Sequence, residues 1–162
     1  MKGISGKEME IVSELEFKNQ YFFTREEIKR HFTSANEMNV YLHRMRKKGR
    51  IIKLNKHTYY LIPVRAIGGK WSEHPYAIID EIMDGKGYCI AGKAAAYYWK
   101  HMEQIPFQYE VFNTRMQKKM EIFHAKINFI KKRKENLPKI TEREIRGHRF
   151  LIATKGESRK WS

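Results

Sequence analysis

The sequence predicts an α+β protein in two parts, a helical unit closed by a small hairpin and a mixed unit behind it. Three observations carry that expectation. Two helix-start signals, Thr24 with Glu27 and Ser34 with Glu37, open two helices of unequal length joined by a short turn. After Gly49 the apolar pattern switches from helical spacing to strand-like runs. Gly68-Gly69 followed by Ser72 then marks a linker, beyond which helical and alternating segments mix.

The first element is KEMEIVSELEF. Met9, Ile11, Val12, Leu15 and Phe17 fall on one helical face, and Glu8, Glu10, Glu14 and Glu16 fall mostly outside it. The second helix, about 25–32, is short and buries Ile28 and Phe32, after which Thr33-Ser34 breaks the run. The third helix starts at Ser34. With Met38 placed at zero degrees, Leu42 and Met45 lie beside it and Tyr41 on the flank, which is a core stripe. Asn36, Val40, His43 and Lys47 point the opposite way, flanked by Asn39, Arg44 and Arg46, and Gly49 ends the helix. Ile51, Ile52 and Leu54, then Tyr59 to Ile62, read as two strands around an Asn55-Lys56-His57 turn, and Pro63 closes the unit. That order of elements is the order of a winged helix-turn-helix. The expected architecture is therefore an N-terminal winged helix-turn-helix over 5–64, followed by a small mixed α/β domain over 73–155.

Charge narrows the function. The chain has 162 residues, 33 Lys+Arg against 18 Asp+Glu and a formal net charge of +15. Such an excess favours polyanionic partners, nucleic acid first and an anionic membrane surface second. Between Glu37 and Glu73 there is no acid, but there are Arg44, Arg46, Lys47, Lys48, Arg50, Lys53, Lys56, Arg65 and Lys70. Basic charge is thus concentrated on the end of the third helix and on the hairpin. Side chains that bond base edges and phosphates share the helix face opposite the core stripe. Asn36, Asn39, His43 and Arg44 are expected in the major groove, and Arg46, Lys47, Lys53 and Lys56 on phosphates, with Thr33, Ser34, Val40 and His57 completing the surface. Two plainer readings compete: cations suit any helix C-terminus, and winged helices also serve as protein-interaction modules.

Further along, HPYAIIDEIM reads as a short helix with Tyr76, Ile79, Ile82 and Met83 on one face, and Asp84 to Gly87 as a turn. The Ala-rich YCIAGKAAAYYWKHMEQIP reads as one helix ending before Pro106. YEVFNT, KMEIFHAKINF and RFLIAT read as strands.

Two segments also resemble a known family. FTREEIKRHF and YLHRMRKKGRIIKLNKHTYYLIP are similar to the winged helix of the AbiEi antitoxin-like transcriptional regulators. GYCIAGKAAAYYWKHMEQIPFQYEVFNT looks like the element that follows there, with Ala94 to Trp99 in the small-residue helix and Gln104-Ile105-Pro106 leading into a strand. The resemblance spans about 21–154. It departs from the family where leucine and His-Gly are replaced by Tyr97-Tyr98-Trp99 and Met102-Glu103, and where the chain stops at ATKGESRKWS instead of continuing into more helix, so a truncated or differently finished second domain is expected. The resemblance implies an autorepressor that binds inverted repeats in double-stranded promoter DNA, dimerises on them, and acts as antitoxin to a nucleotidyltransferase-like toxin encoded nearby.

Other chemistry finds little support. The seven histidines are scattered with no HxH or HExxH, and a single cysteine, Cys89 in YCIAG, allows no CxxC, so neither a metal site nor a cofactor is expected. Cys89 reads as a small core residue. Gly85-x-Gly87 is a turn and not a phosphate loop. Of the acidic pairs, Asp80-Glu81 lies on a helix beside its apolar face and Glu142/Glu144 is next to Arg143 and Arg146, which suits a salt-bridged surface better than a nuclease, and no enzyme is expected. A second basic run, Lys131, Lys132, Arg133 and Lys134, is either a solvated strand end or an added nucleic-acid contact, and keeps open an RNA-binding accessory role. With no apolar run long enough for a span and acids near the N-terminus, the chain is expected to be a cytoplasmic protein with no membrane partner.

Overall fold

A computed structural model describes residues 5–63, 73–122 and 125–162, and the expected linker with Arg65 and Lys70 lies outside them. Among the described residues the protein is mixed α+β, with six α-helices and two sheets. It divides into two compact units, Met1–Ser72 and Glu73–Ser162. No described helix is long and apolar enough to cross a membrane.

In the first unit, α1 (Gly6–Phe17) starts at a capping box that was not read from sequence: Ser5 Oγ accepts the Glu8 N–H, and Glu8 Oε2 accepts the Ser5 N–H. Ile11, Val12 and Leu15 are buried as expected, but Met9 is 50% and Phe17 88% exposed, so the buried stripe is narrower than periodicity suggests. Next come β1 (Phe22–Thr24), α2 (Arg25–Ile28) and a 3-10 turn over Lys29–His31. The helix expected to run to Phe32 thus tightens after one turn. At Thr24 the N–H donates to Glu27 at 3.4 Å.

α3 (Ala35–Lys47) buries Met38, Leu42 and Met45. Each such side chain contributes roughly 1.5–3 kcal/mol of burial. The strands β2 (Ile51–Lys53) and β3 (Thr58–Leu61) pair antiparallel, with Ile51 opposite Leu61 and Lys53 opposite Tyr59. β1 joins on the other side of β3, with Phe23 opposite Tyr59. The sheet order is β1-β3-β2, so the hairpin gains a third strand from a segment with no strand pattern of its own. All three helices and the sheet share one core: Phe23, Ile28, Leu42, Met45, Ile51, Tyr59 and Leu61 pack together with the stripe of α1, and Phe32 packs partly against them.

The second unit is one six-stranded sheet with order β6-β7-β5-β4-β9-β8. α4 (Pro75–Ile82) is buried nearly all round, Asp80 included. The long helix expected over YCIAGKAAAYYWKHMEQIP is instead a strand and a short helix, β4 (Tyr88–Ala91) and α5 (Gly92–Tyr98). All four β4 residues are buried, which is the pattern of a central strand and not of a helix face. The switch occurs at Gly92, whose φ is +61°, and a Cβ there would meet the Glu110 carboxylate at 1.8 Å. β5 (Gln108–Asn113) pairs antiparallel with β4 and parallel with β7 (Ala125–Lys131). The single strand expected over KMEIFHAKINF is a hairpin of β6 (Lys118–Ile122) and β7, because alternation alone does not show where a chain reverses. Its Phe123 and His124 lie outside the described residues. β8 (Ile140–Ile145), β9 (His148–Ala153) and α6 (Lys155–Ser158) complete the unit.

Candidate nucleic-acid interface

The third helix is capped at both ends by its own sequence. Ser34 Oγ accepts the Glu37 N–H at 3.1 Å. The Glu37 carboxylate does not close the expected box on Ser34. It reaches one residue further, accepting from Thr33 N–H at 2.9 Å and Thr33 Oγ at 2.7 Å, and takes the Lys7 ammonium of α1. Lys7 and the Thr33 donors hold its pKa down at about 2. The one acid of the helix is therefore turned back and matched locally. At the other end Gly49, with φ +73°, donates to Arg46 O at 3.0 Å, and Arg50 N–H donates to Met45 O at 2.9 Å. These two bonds make a Schellman stop and leave the last turn basic.

Between those ends, Asn36, Val40, His43 and Lys47 form one exposed stripe at helical spacing, flanked by exposed Asn39, Arg44 and Arg46. Val40 is 47% exposed and is the stripe's apolar member. Asn39 Oδ1 accepts from Arg25 of α2, which leaves the amide NH2 as the donor. Arg44 lies over the Tyr41 ring at 5.7 Å. The hairpin tip is ordered by Asn55, whose Oδ1 accepts the N–H groups of His57 and Thr58, both at 2.8 Å. It holds Lys53, Lys56 and His57 exposed. Thr33 and Ser34, at the N-terminal end of α3, are exposed as well.

Two members of the basic run are not part of this surface. Lys48 Nζ lies 2.9 and 3.1 Å from the two oxygens of Glu8, a carboxylate that is 1% exposed. Arg50 is 8% exposed. A buried carboxylate has to be matched by a cation, and the chain takes that cation from the basic run. Among the described residues none of Arg44, Arg46, Lys47, Lys53 and Lys56 is matched to a carboxylate in this way. The remaining acid with strong partners, Glu14, ties α1 to the 3-10 turn through Arg30 and His31 and also pairs with Lys18 at the end of its own helix; Arg30 foremost holds it well below the usual carboxylate range.

Sequence reasoning missed Lys7 and Arg25, which set Glu37 and Asn39. Their partners lie 30 and 14 positions away, beyond any local spacing rule.

The second basic run belongs to the second unit. Lys131 ends β7, and Lys132, Arg133 and Lys134 follow it. Lys131, Arg133 and Lys134 are exposed, while Lys132 is half-buried with its Nζ 4.4 Å from the Phe112 ring centre. The run is anchored by Lys132 N–H to Asn113 O at 2.7 Å and Lys131 N–H to Gln117 Oε1 at 2.9 Å.

Three of the four acids in these pairs are engaged. Asp80 is buried and accepts from Tyr88 Oη at 2.7 Å. Glu81 sits 2.9 Å from His148 Nε2, and Glu142 is 3.2 Å from Arg149. Burial raises the Asp80 pKa, and the Glu81 hydrogen bond raises that of His148. Among the described residues no group of His, Cys, Asp and Glu is placed to hold a metal ion. Cys89 is fully buried, which pushes its thiol up to about 12.

No family model matches the chain, and no curated protein matches it. Among solved structures it is similar to the crystal structure of the Rv2827c protein from Mycobacterium tuberculosis, with a TM-score of 0.57 and 16% identity over 84% of this chain. The chain matches 49% of that protein's length. At this identity the likeness is one of fold.

Proposed function

We propose that this protein is a sequence-specific DNA-binding regulator whose first unit is a winged helix-turn-helix. The observation that carries the reading is the exposed face of α3: Asn36, Asn39, His43, Arg44, Arg46 and Lys47 with no acid beyond Glu37, continued by Lys53, Lys56 and His57 on the hairpin. The element order supports it, with a short α2, a three-residue turn over 32–34, a longer α3 and then a strand pair. In the mechanism, α3 lies in the major groove of double-stranded DNA. Asn36, Asn39, His43 and Arg44 read base edges there, and Arg46, Lys47, Lys53 and Lys56 neutralise phosphates. The resemblance to AbiEi-like regulators makes the operator an inverted repeat in the protein's own promoter, bound by a homodimer. It makes the role that of an autorepressing antitoxin, with a nucleotidyltransferase-like toxin encoded beside it.

The deciding experiment is a titration of the protein with a labelled duplex from upstream of its own gene, against a scrambled duplex, at two salt concentrations. A preference of roughly 10³-fold or more for the native duplex is expected. Equal, salt-sensitive binding to both duplexes would leave a non-specific or RNA-directed binder. No binding at low salt would leave a protein-interaction module.

A further inference from the structure

In the second unit a cavity of about 580 Å³ lies among α4, the end of α5 with the turn after it, and the edge strand β8. Its walls include His74, Tyr76, Tyr97, Tyr98, Lys100 and Glu103. We propose that this cavity binds a small planar aromatic ligand carrying one anionic group, either an aromatic carboxylate or a nucleoside monophosphate.

Size and lining suit a small molecule. Ligand cavities run roughly 300–1,000 Å³ and combine aromatic walls with a few convergent polar groups. The inner wall is built of packed rings. Tyr76 meets Tyr98 edge-on at 6.0 Å and Tyr109 edge-on at 5.7 Å, and it packs on His74 at 4.6 Å. Tyr97 leaves 37% of its surface exposed, which a flat ring would cover.

The polar groups are preset. His74 Nδ1 accepts the Tyr76 N–H at 3.2 Å, so the ring's proton stands on Nε2, as a donor. Burial, with the Arg146 charge, lowers the His74 pKa and keeps the ring neutral near pH 7. Tyr98 Oη accepts from Arg143 Nε at 3.1 Å, which leaves its own proton to donate.

Charge selects the ligand's sign. Lys100 lines the cavity, Arg143 reaches its Tyr98 wall, and the charge of Arg146 acts on His74. Glu103 is the one acid among the lining residues. The acids of β8 alternate away from Arg143 and Ile145 onto the opposite face, and Glu142 there pairs with Arg149. Lys100 and Arg146 both stand on left-handed backbone, at φ +63° and +50°, where long side chains are uncommon and asparagine is tolerated.

The test is calorimetric titration of the full chain, without DNA, so its result is independent of the DNA-binding reading. Salicylate and AMP are the anionic probes, benzyl alcohol and adenosine the neutral ones, and benzylamine the cationic one. At least one anionic probe is expected to bind roughly tenfold or more tightly than its neutral counterpart, with benzylamine weakest. The tighter of salicylate and AMP identifies the source. Lys100→Asn, which suits the backbone, should remove the preference for the anion and leave the Tm unchanged. Tyr97→Ala should weaken every ring. Equal affinity for all probes, no binding by any of them, or an unchanged preference in Lys100→Asn would overturn the proposal. If Tyr97→Ala does not fold, Lys100→Asn decides alone.

Discussion

The two units carry a similar excess of bases but place their acids differently. In the first, every acid lies at or before Glu37, and the strongest pairs, Glu8–Lys48, Glu14–Arg30 and Glu37–Lys7, draw acids toward α1 and the start of α3. Among the described residues, the cations on the outer face of α3 and on the hairpin have no carboxylate partner. In the second unit acids and bases interleave along the strands, and buried polar groups such as Asp80 and Asn113 hold the sheet together. Net charge alone thus does not locate a polyanion site. The proposed interface lies where the acids are absent.

The largest effect is expected where the second unit depends on one buried amide. Asn113 donates to the carbonyls of Val111, Met116 and Ile130 and accepts from the N–H groups of Arg115 at 2.9 Å and Met116 at 2.7 Å. Asn113→Leu strands those groups and should cost about 3 kcal/mol or more. Denaturant unfolding followed in each half should show the second unit melting early and the first unmoved. A joint shift of both halves would show that they do not unfold separately.

Next is the ion pair of the first unit. Lys48→Met leaves the Glu8 carboxylate buried with its ammonium partner gone, at a cost of about 3 kcal/mol. Glu8→Gln leaves a lysine that can still reach water, and should cost less, about 1 kcal/mol. If the order were reversed, Lys48 would not be serving the core, and its place outside the proposed interface would be wrong.

Substitutions on the open face should change binding and not folding. Asn39→Ala and His43→Ala should each cost roughly 1–3 kcal/mol of operator affinity and relax sequence preference. Lys56→Ala should weaken binding to all duplexes alike and reduce the salt slope by about one. Specific binding untouched by both helix variants would remove α3 from the groove.

The smallest effects are in pH, and they have opposite signs at Glu37 of the first unit and at Asp80 and His148 of the second. Glu37, held at about 2, adds stability that is present above the ordinary carboxylate value of about 4.3 and lost as pH falls toward about 2. Asp80 and His148 are both raised, so their contribution is present at low pH and is lost as pH rises through their folded pKa values. Unfolding midpoints across pH should show the first unit weakened by acid, an effect reduced in Glu37→Gln. The second unit should be weakened by rising pH above about 6.5, an effect reduced in His148→Gln.

The sequence by itself determined the elements whose signals are local. The α3 stripe of Met38, Leu42 and Met45, its Ser34 cap and Gly49 stop, the hairpin around Asn55 and the outward stripe of Asn36, Val40, His43 and Lys47 all follow from spacing within a few turns of chain. Tertiary structure decided whatever depends on a distant partner. Phe22 to Thr24 is a strand only because β3 lies beside it. Tyr88 to Ala91 is a strand and not a helix start because β5 and β9 flank it. Lys48 is turned from the open face by a carboxylate 40 positions earlier. Periodicity records which side of an element is apolar, but not what covers it. The cavity beside Tyr76, assembled from α4, α5 and β8, left no trace in any one of those segments.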